Sequence, residues 1–123
     1  MKGVHIIADL YDVLNTDALK NLQALQSIMF DVASSLRLSV VSESGHQFRP
    51  YGATAVLVLS ESHFSAHTWY ETNQVHIDLF TCNADNLDVD RFIFLLMDAF
   101  LTERVAWQWI DRPLRIASRR QTR

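Results

Sequence analysis

The sequence is short of the residues that break or staple a chain: its 123 residues include 3 glycines, 2 prolines and 1 cysteine. So few glycines and prolines exclude a collagenous or low-complexity polymer, and a hydrophobic content of 49% excludes a chain too polar to bury a core. The lone thiol, Cys82, allows no internal disulfide and gives no sign of an oxidising compartment. No apolar run approaches the roughly 18 residues that a membrane helix needs, and the N-terminus lacks a basic stretch followed by a long apolar one. The expectation is a soluble, unexported, cytoplasmic protein that makes no membrane contact.

A chain of this length can remove roughly two thirds of its unfolded surface from water in a single core. No repeat or Pro/Gly/Ser linker divides it, so one domain is expected over residues 1–111. The formal net charge of -3 hides a segregation: all 14 acidic residues lie at or before Asp111, while Arg112, Arg115, Arg119, Arg120 and Arg123 crowd the end. Without interleaved aromatics, segment 112–123 reads as a solvated basic tail and not as a nucleic-acid site.

Val4 to Tyr11 predicts a first strand, with His5, Ile7, Asp9 and Tyr11 on one face. Asn15 or Thr16 can cap a long amphipathic helix in which Leu19, Leu22, Leu25, Met29, Val32 and Leu36 recur at helical spacing. Ser39 to Ser44 predicts a strand closed by Gly45, and Tyr51-Gly52 marks a turn. Three extended runs follow, Ala55 to Ser60, Ser65 to Tyr70 and Gln74 to Cys82. A second helix spans Asp88 to Phe100 with Val89, Phe92, Ile93, Leu96 and Phe100 as its buried stripe, and Val105 to Ile110 is a last strand. Strands in hairpin-like succession with two helices among them predict an α+β sandwich, an antiparallel sheet carrying its helices on one face. The other face is left to be covered, and Trp69 and Trp107 are available for a partner surface or for the core.

Chemistry concentrates between residues 48 and 82. The run Glu61-Ser62-His63, Ser65, His67-Thr68-Trp69 and Glu71, followed by Phe80-Thr81-Cys82, resembles the signature of the bacterial and archaeal S-adenosylmethionine decarboxylases, E-S-H-x-S-x-H-T-W-P-E and then F-T-C-G. Ile6 to Tyr11 and Phe48-Arg49-Pro50-Tyr51-Gly52 extend the likeness, which fades after Phe100. Decarboxylating an amino acid leaves a carbanion that no ordinary side chain can delocalise, so an electrophilic carbonyl able to form a Schiff base must be supplied. The resemblance implies that the chain makes this group itself. Ser62 attacks the carbonyl of Glu61, the chain is cut between 61 and 62, and Ser62 becomes a pyruvoyl group that forms the Schiff base with substrate.

By the same resemblance His67, five residues on across a tight turn, removes the α-proton during cleavage, and Thr54 supplies a hydroxyl to the oxyanion or to proton shuttling. Cys82 would return a proton to the α-carbon after carbon dioxide leaves, since an ordinary thiol, with a pKa of about 8.5, is protonated at neutral pH. Phe48 would stack on adenine or face the sulfonium, and Glu71 would receive ribose hydroxyls. A homodimer with both protomers contributing to each site is also implied. Taken singly, Ser62 is a loop serine, Cys82 a packing residue on an apolar strand and Phe48 a core aromatic; the set gives them meaning. His63, His67 and His76 offer no zinc spacing, so no metal is expected, and His5 and His46 receive no role.

The sequence departs from the family at Tyr70, in place of proline, Asn83, in place of glycine, and Ala55, in place of glycine. Relatives that act on L-ornithine or L-arginine make those the alternative substrates, which would need a carboxylate for the distal cation and no room for adenine. A reading from another class is an unprocessed, non-catalytic homologue that regulates an active partner.

Overall fold

Buried residues alternate with half-buried or exposed ones along the inner strands of the computed structural model, which describes residues 2–115. In chain order the elements are β1 (Gly3–Tyr11), α1 (Thr16–Lys20), α2 (Leu22–Ser35), β2 (Val40–Gln47), β3 (Ala53–Leu59), β4 (Ser62–Trp69), β5 (Gln74–Thr81), α3 (Val89–Phe100) and β6 (Arg104–Arg112). Short 3-10 turns cover Tyr70–Thr72 and Ala84–Asn86. The strands form one sheet in the order β2-β3-β4-β5-β1-β6, antiparallel at every seam. This is the expected α+β arrangement, with six strands.

One face of the sheet is the core. Val4, Ile6, Ala8 and Leu10 of β1, Leu57 of β3, Phe64 of β4 and Ile77 of β5 are all buried there with Leu25, Met29, Phe92, Leu96 and Phe100 of the helices. The period-2 pattern of the strands and the apolar stripe of α3 converge on the same layer. The opposite face, here the open face, presents His5, Ile7 and Asp9, then His63, Ser65, His67 and Trp69, then His76, Asp78 and Phe80, none of them buried.

Three expectations are corrected. The long first helix is two helices, because Asn21 adopts an extended backbone (φ -118, ψ 126). Its side-chain amide bonds to Asp17 Oδ1, and Gln47 reaches in from β2, donating to Lys20 O (2.8 Å) and accepting from Leu22 N (2.7 Å). The break is thus satisfied from another strand, and the periodicity runs through it because both halves face one sheet.

Gly45 lies inside β2 and does not close it; a Cβ there would meet Leu22 Cδ1 at 2.6 Å, so glycine lets α2 approach the sheet. The third correction concerns β4, which starts at Ser62, three residues earlier than expected; the tight turn is Ser60-Glu61, before Ser62. No turn separates Ser62 from His67.

Nor do Trp69 and Trp107 enter the core; they are 42% and 38% exposed. Of segment 112–123, residues 116–123 lie outside the described residues. Among the described residues no helix is long and apolar enough to cross a membrane.

Candidate active site

β4 carries candidate residues at both ends, on opposite faces. Ser62 shares its face with Phe64, Ala66 and Thr68, and its register partners are Leu59 of β3 and Thr81 of β5, both buried. Cys82, half-buried, directly follows Thr81, so the fold brings the expected nucleophile and the expected proton donor to one end of the sheet. Asn83 N donates to Thr81 Oγ1 (3.1 Å) and Ala84 N to Lys2 O (3.0 Å), which fixes the turn beyond Cys82. Asn83 has φ -121, a backbone that needs no glycine, which explains why asparagine serves there.

His67 belongs to the far end. Five steps along a strand put it about 16 Å from Ser62, and the odd spacing turns it to the open face. There Thr54, its register partner on β3, places Oγ1 2.7 Å from His67 Nδ1. Phe48 packs on the His67 ring with centroids 5.4 Å apart, and Trp69 does so at 4.3 Å. A cleft of about 250 Å³ is lined by Phe48, Tyr51, His67, Trp69 and Glu71, among others. The structure therefore brings Thr54, His67, Phe48 and Glu71 together, and keeps them away from Ser62, Glu61 and Cys82.

Local structure explains this placement. Gly52 has φ +113, a left-handed backbone that disfavours any side chain, and its carbonyl accepts from Phe48 N (2.7 Å) and Gln47 Nε2 (2.8 Å). That loop holds Phe48 over β4. On the inner side Thr68 Oγ1 donates to Leu19 O (2.9 Å) and accepts from Ala53 N (2.9 Å), so its neighbours His67 and Trp69 must face outward. Tyr70, the replacement for proline, packs edge-on against Tyr51 (5.0 Å) with Lys20 Nζ over both rings.

The His67 pKa is lowered from 6.5, first by burial, next by a charge on His76, with Glu71 opposing. His67 is therefore neutral, and available as a base, to lower pH than a free imidazole. Sequence reasoning missed three neighbours. His76 is the register partner of His67, Asp9 is the partner of His76, and Trp69 donates from Nε1 to His76 Nδ1 at 3.2 Å. Their shared face was visible in the alternation; their register was not. His5, given no role from sequence, pairs with Asp78 Oδ1 at 3.1 Å. Among the described residues no group of His, Cys, Asp and Glu is placed to hold a metal.

The family model for S-adenosylmethionine decarboxylase matches residues 4–113. A relative named S-adenosylmethionine decarboxylase proenzyme from Archaeoglobus fulgidus is 34% identical over 89% of this chain and 96% of its own length. One of the same name from Thermosipho melanesiensis is 43% identical over 68% of this chain; that match spans 63% of the relative's length. A crystal structure of the adenosylmethionine decarboxylase from Aquifex aeolicus superposes with a TM-score of 0.82 at 28% identity, over 98% of both chains.

Proposed function

Since the chain belongs to the S-adenosylmethionine decarboxylase family, we propose that it cuts itself before Ser62 and then decarboxylates S-adenosylmethionine. The topology around the Glu61–Ser62 bond supports this most directly. A cut there opens the β3–β4 turn, yet the two fragments stay interlocked, because β1 of the first lies between β5 and β6 of the second and β3 still pairs with β4. Three sheet seams hold the halves together without the peptide bond.

In the cut, Ser62 Oγ attacks the Glu61 carbonyl carbon; the C–N bond breaks as the ester C–O bond forms, and the hydroxyl proton passes to the freed amine. Loss of the residue 62 α-proton to His67 then expels the Glu61 carboxylate, leaving a dehydroalanine whose imine tautomer takes up water and releases ammonia. Thr54 holds the His67 ring through Nδ1. The half-buried Ser62, just past the turn and one residue across from Cys82, fits the formation of a pyruvoyl group. Once formed, that group supplies the carbonyl electron sink for loss of carbon dioxide. Cys82 holds the proton that returns to carbon, Phe48 meets the adenine or sulfonium, and Glu71 receives the ribose hydroxyls.

A distance of about 16 Å along one strand, and opposite faces, keep Ser62 and His67 of one chain apart. A homodimer in which each site takes Ser62 and Cys82 from one protomer and His67, Thr54, Phe48 and Glu71 from the other resolves this. Co-expressing a Ser62→Ala chain with a His67→Ala chain tests it. Mass spectrometry should find the His67→Ala chain uncut alone and cut in the mixture, because one of the two hybrid sites is intact. A mixture in which both chains stay whole overturns the shared site. Carbon dioxide release from cut protein should occur with S-adenosylmethionine; release only with L-ornithine or L-arginine overturns the substrate.

A further inference from the structure

We propose that His76 is a positioning residue for His67, acting through Trp69; the proposal rests on His67 being the base of self-cleavage. Thr54 of β3, His67 of β4, His76 of β5 and Asp9 of β1 are successive register partners, so four strands contribute one polar row to the open face. Trp69 lies beside this row and ties its centre. Its indole N–H donates to His76 Nδ1 at 3.2 Å while its ring packs on His67, centroids 4.3 Å apart.

Because His76 Nδ1 accepts, the N–H of the neutral ring must sit on Nε2. That atom faces Asp9 Oδ1 at 3.9 Å. The imidazole is thus held by one hydrogen bond, at Nδ1, with the Asp9 carboxylate nearby but beyond hydrogen-bond reach, and through Trp69 it fixes the surface on which the His67 ring rests. Thr54 completes the clamp from the other strand, Oγ1 to Nδ1, at 2.7 Å.

Charge acts in the other protonation state, in which Nδ1 carries a proton and no longer accepts from Trp69. A proton on His76 repels one on His67 and lowers its pKa beyond the effect of burial, whereas the Glu71 carboxylate raises it. Other charged or titratable groups around the row are Asp9 on β1, His46 on β2, which is separated from His67 by Thr54 and Phe48, and Arg49 and Tyr51, which line the same cleft as His67.

The test is His76→Gln in the full chain, with self-cleavage followed after a pH jump from freshly synthesised precursor. Glutamine keeps an acceptor for Trp69 and removes the charge. The acid limb of the rate profile should move to higher pH, since removing a proton-repelling charge raises the His67 pKa. A loss of rate equal at all pH, or a wild-type profile, overturns the proposal.

Because this variant can misfold, an NMR titration of the imidazoles in the uncut Ser62→Ala chain gives an independent readout. In its neutral form the His76 ring should carry its proton on Nε2, with Nδ1 accepting from Trp69 Nε1; a neutral ring protonated on Nδ1 overturns the proposal. His67→Ala separates the two levels. Cleavage at the wild-type rate in that variant removes the base assignment itself, whereas abolished cleavage with an unmoved His76→Gln profile removes only the role of His76.

Discussion

At its first residue β4 is held by main-chain pairing to Leu59 and Thr81, whereas at its far end side chains do the holding: Thr54 and His76 outside, Leu19 and Ala53 against Thr68 inside. The difference matches the chemistry asked of each end. In the proposed cut Ser62 leaves its strand geometry as its peptide bond is exchanged for an ester, and a web of side-chain hydrogen bonds would oppose that movement. A base that takes one particular proton gains from being fixed before the reaction starts.

The comparison breaks most completely with Ser62→Ala, expected to leave a single uncut chain by mass spectrometry and no turnover. Its partner at the same end, Cys82→Ala, should still cut itself but lose about 10²- to 10⁴-fold in kcat, as general-acid deletions do. If Cys82→Ala also stays uncut, the near end does not divide its labour between cleavage and turnover.

Thr54→Val keeps the shape of the side chain and removes the Oγ1 partner of His67. Cleavage should slow about 10²- to 10³-fold, the range seen on removing a positioned hydrogen-bond partner, while Thr54→Ser stays near wild type. Equal slowing by both variants would assign Thr54 to packing.

Phe48→Leu tests the far end as a binding surface. Loss of a cation–π contact of about 0.5–2 kcal/mol should raise KM for S-adenosylmethionine roughly 2- to 30-fold with kcat little changed. An unchanged KM would separate the cleft from the substrate.

The smallest effect is on stability. The folded-state pKa of His67 is lowered from 6.5, so the unfolded chain binds the proton first. Its contribution is full above pH 6.5 and is lost as pH falls through the folded pKa, and denaturant midpoints should fall over that window less in His67→Gln than in the native chain. Identical slopes would mean that His67 titrates as a free imidazole.

Much of the fold could be read in advance because periodicity records burial. The stripe Phe92, Ile93, Leu96 and Phe100 is buried as its spacing predicts, and the alternation of β5 is as written. The helix break at Asn21 could not be read, since what satisfies it is Gln47, twenty-five residues or more away in β2. The residues of the cleft were legible as a motif, but the motif does not say which of them meet. Ser62 and His67 look like neighbours in sequence, and a strand of even pleat carries them to opposite faces.

The sequence by itself determined which side chains are chemically able and which face of each strand they take, because both follow from local identity and a period of two residues. Only the tertiary structure decided which strand lies beside which and in what register. Those pairings, set by long-range packing of a sheet whose first strand sits between its last two in chain order, put Thr54 and His76 on either side of His67 and left Ser62 with Cys82.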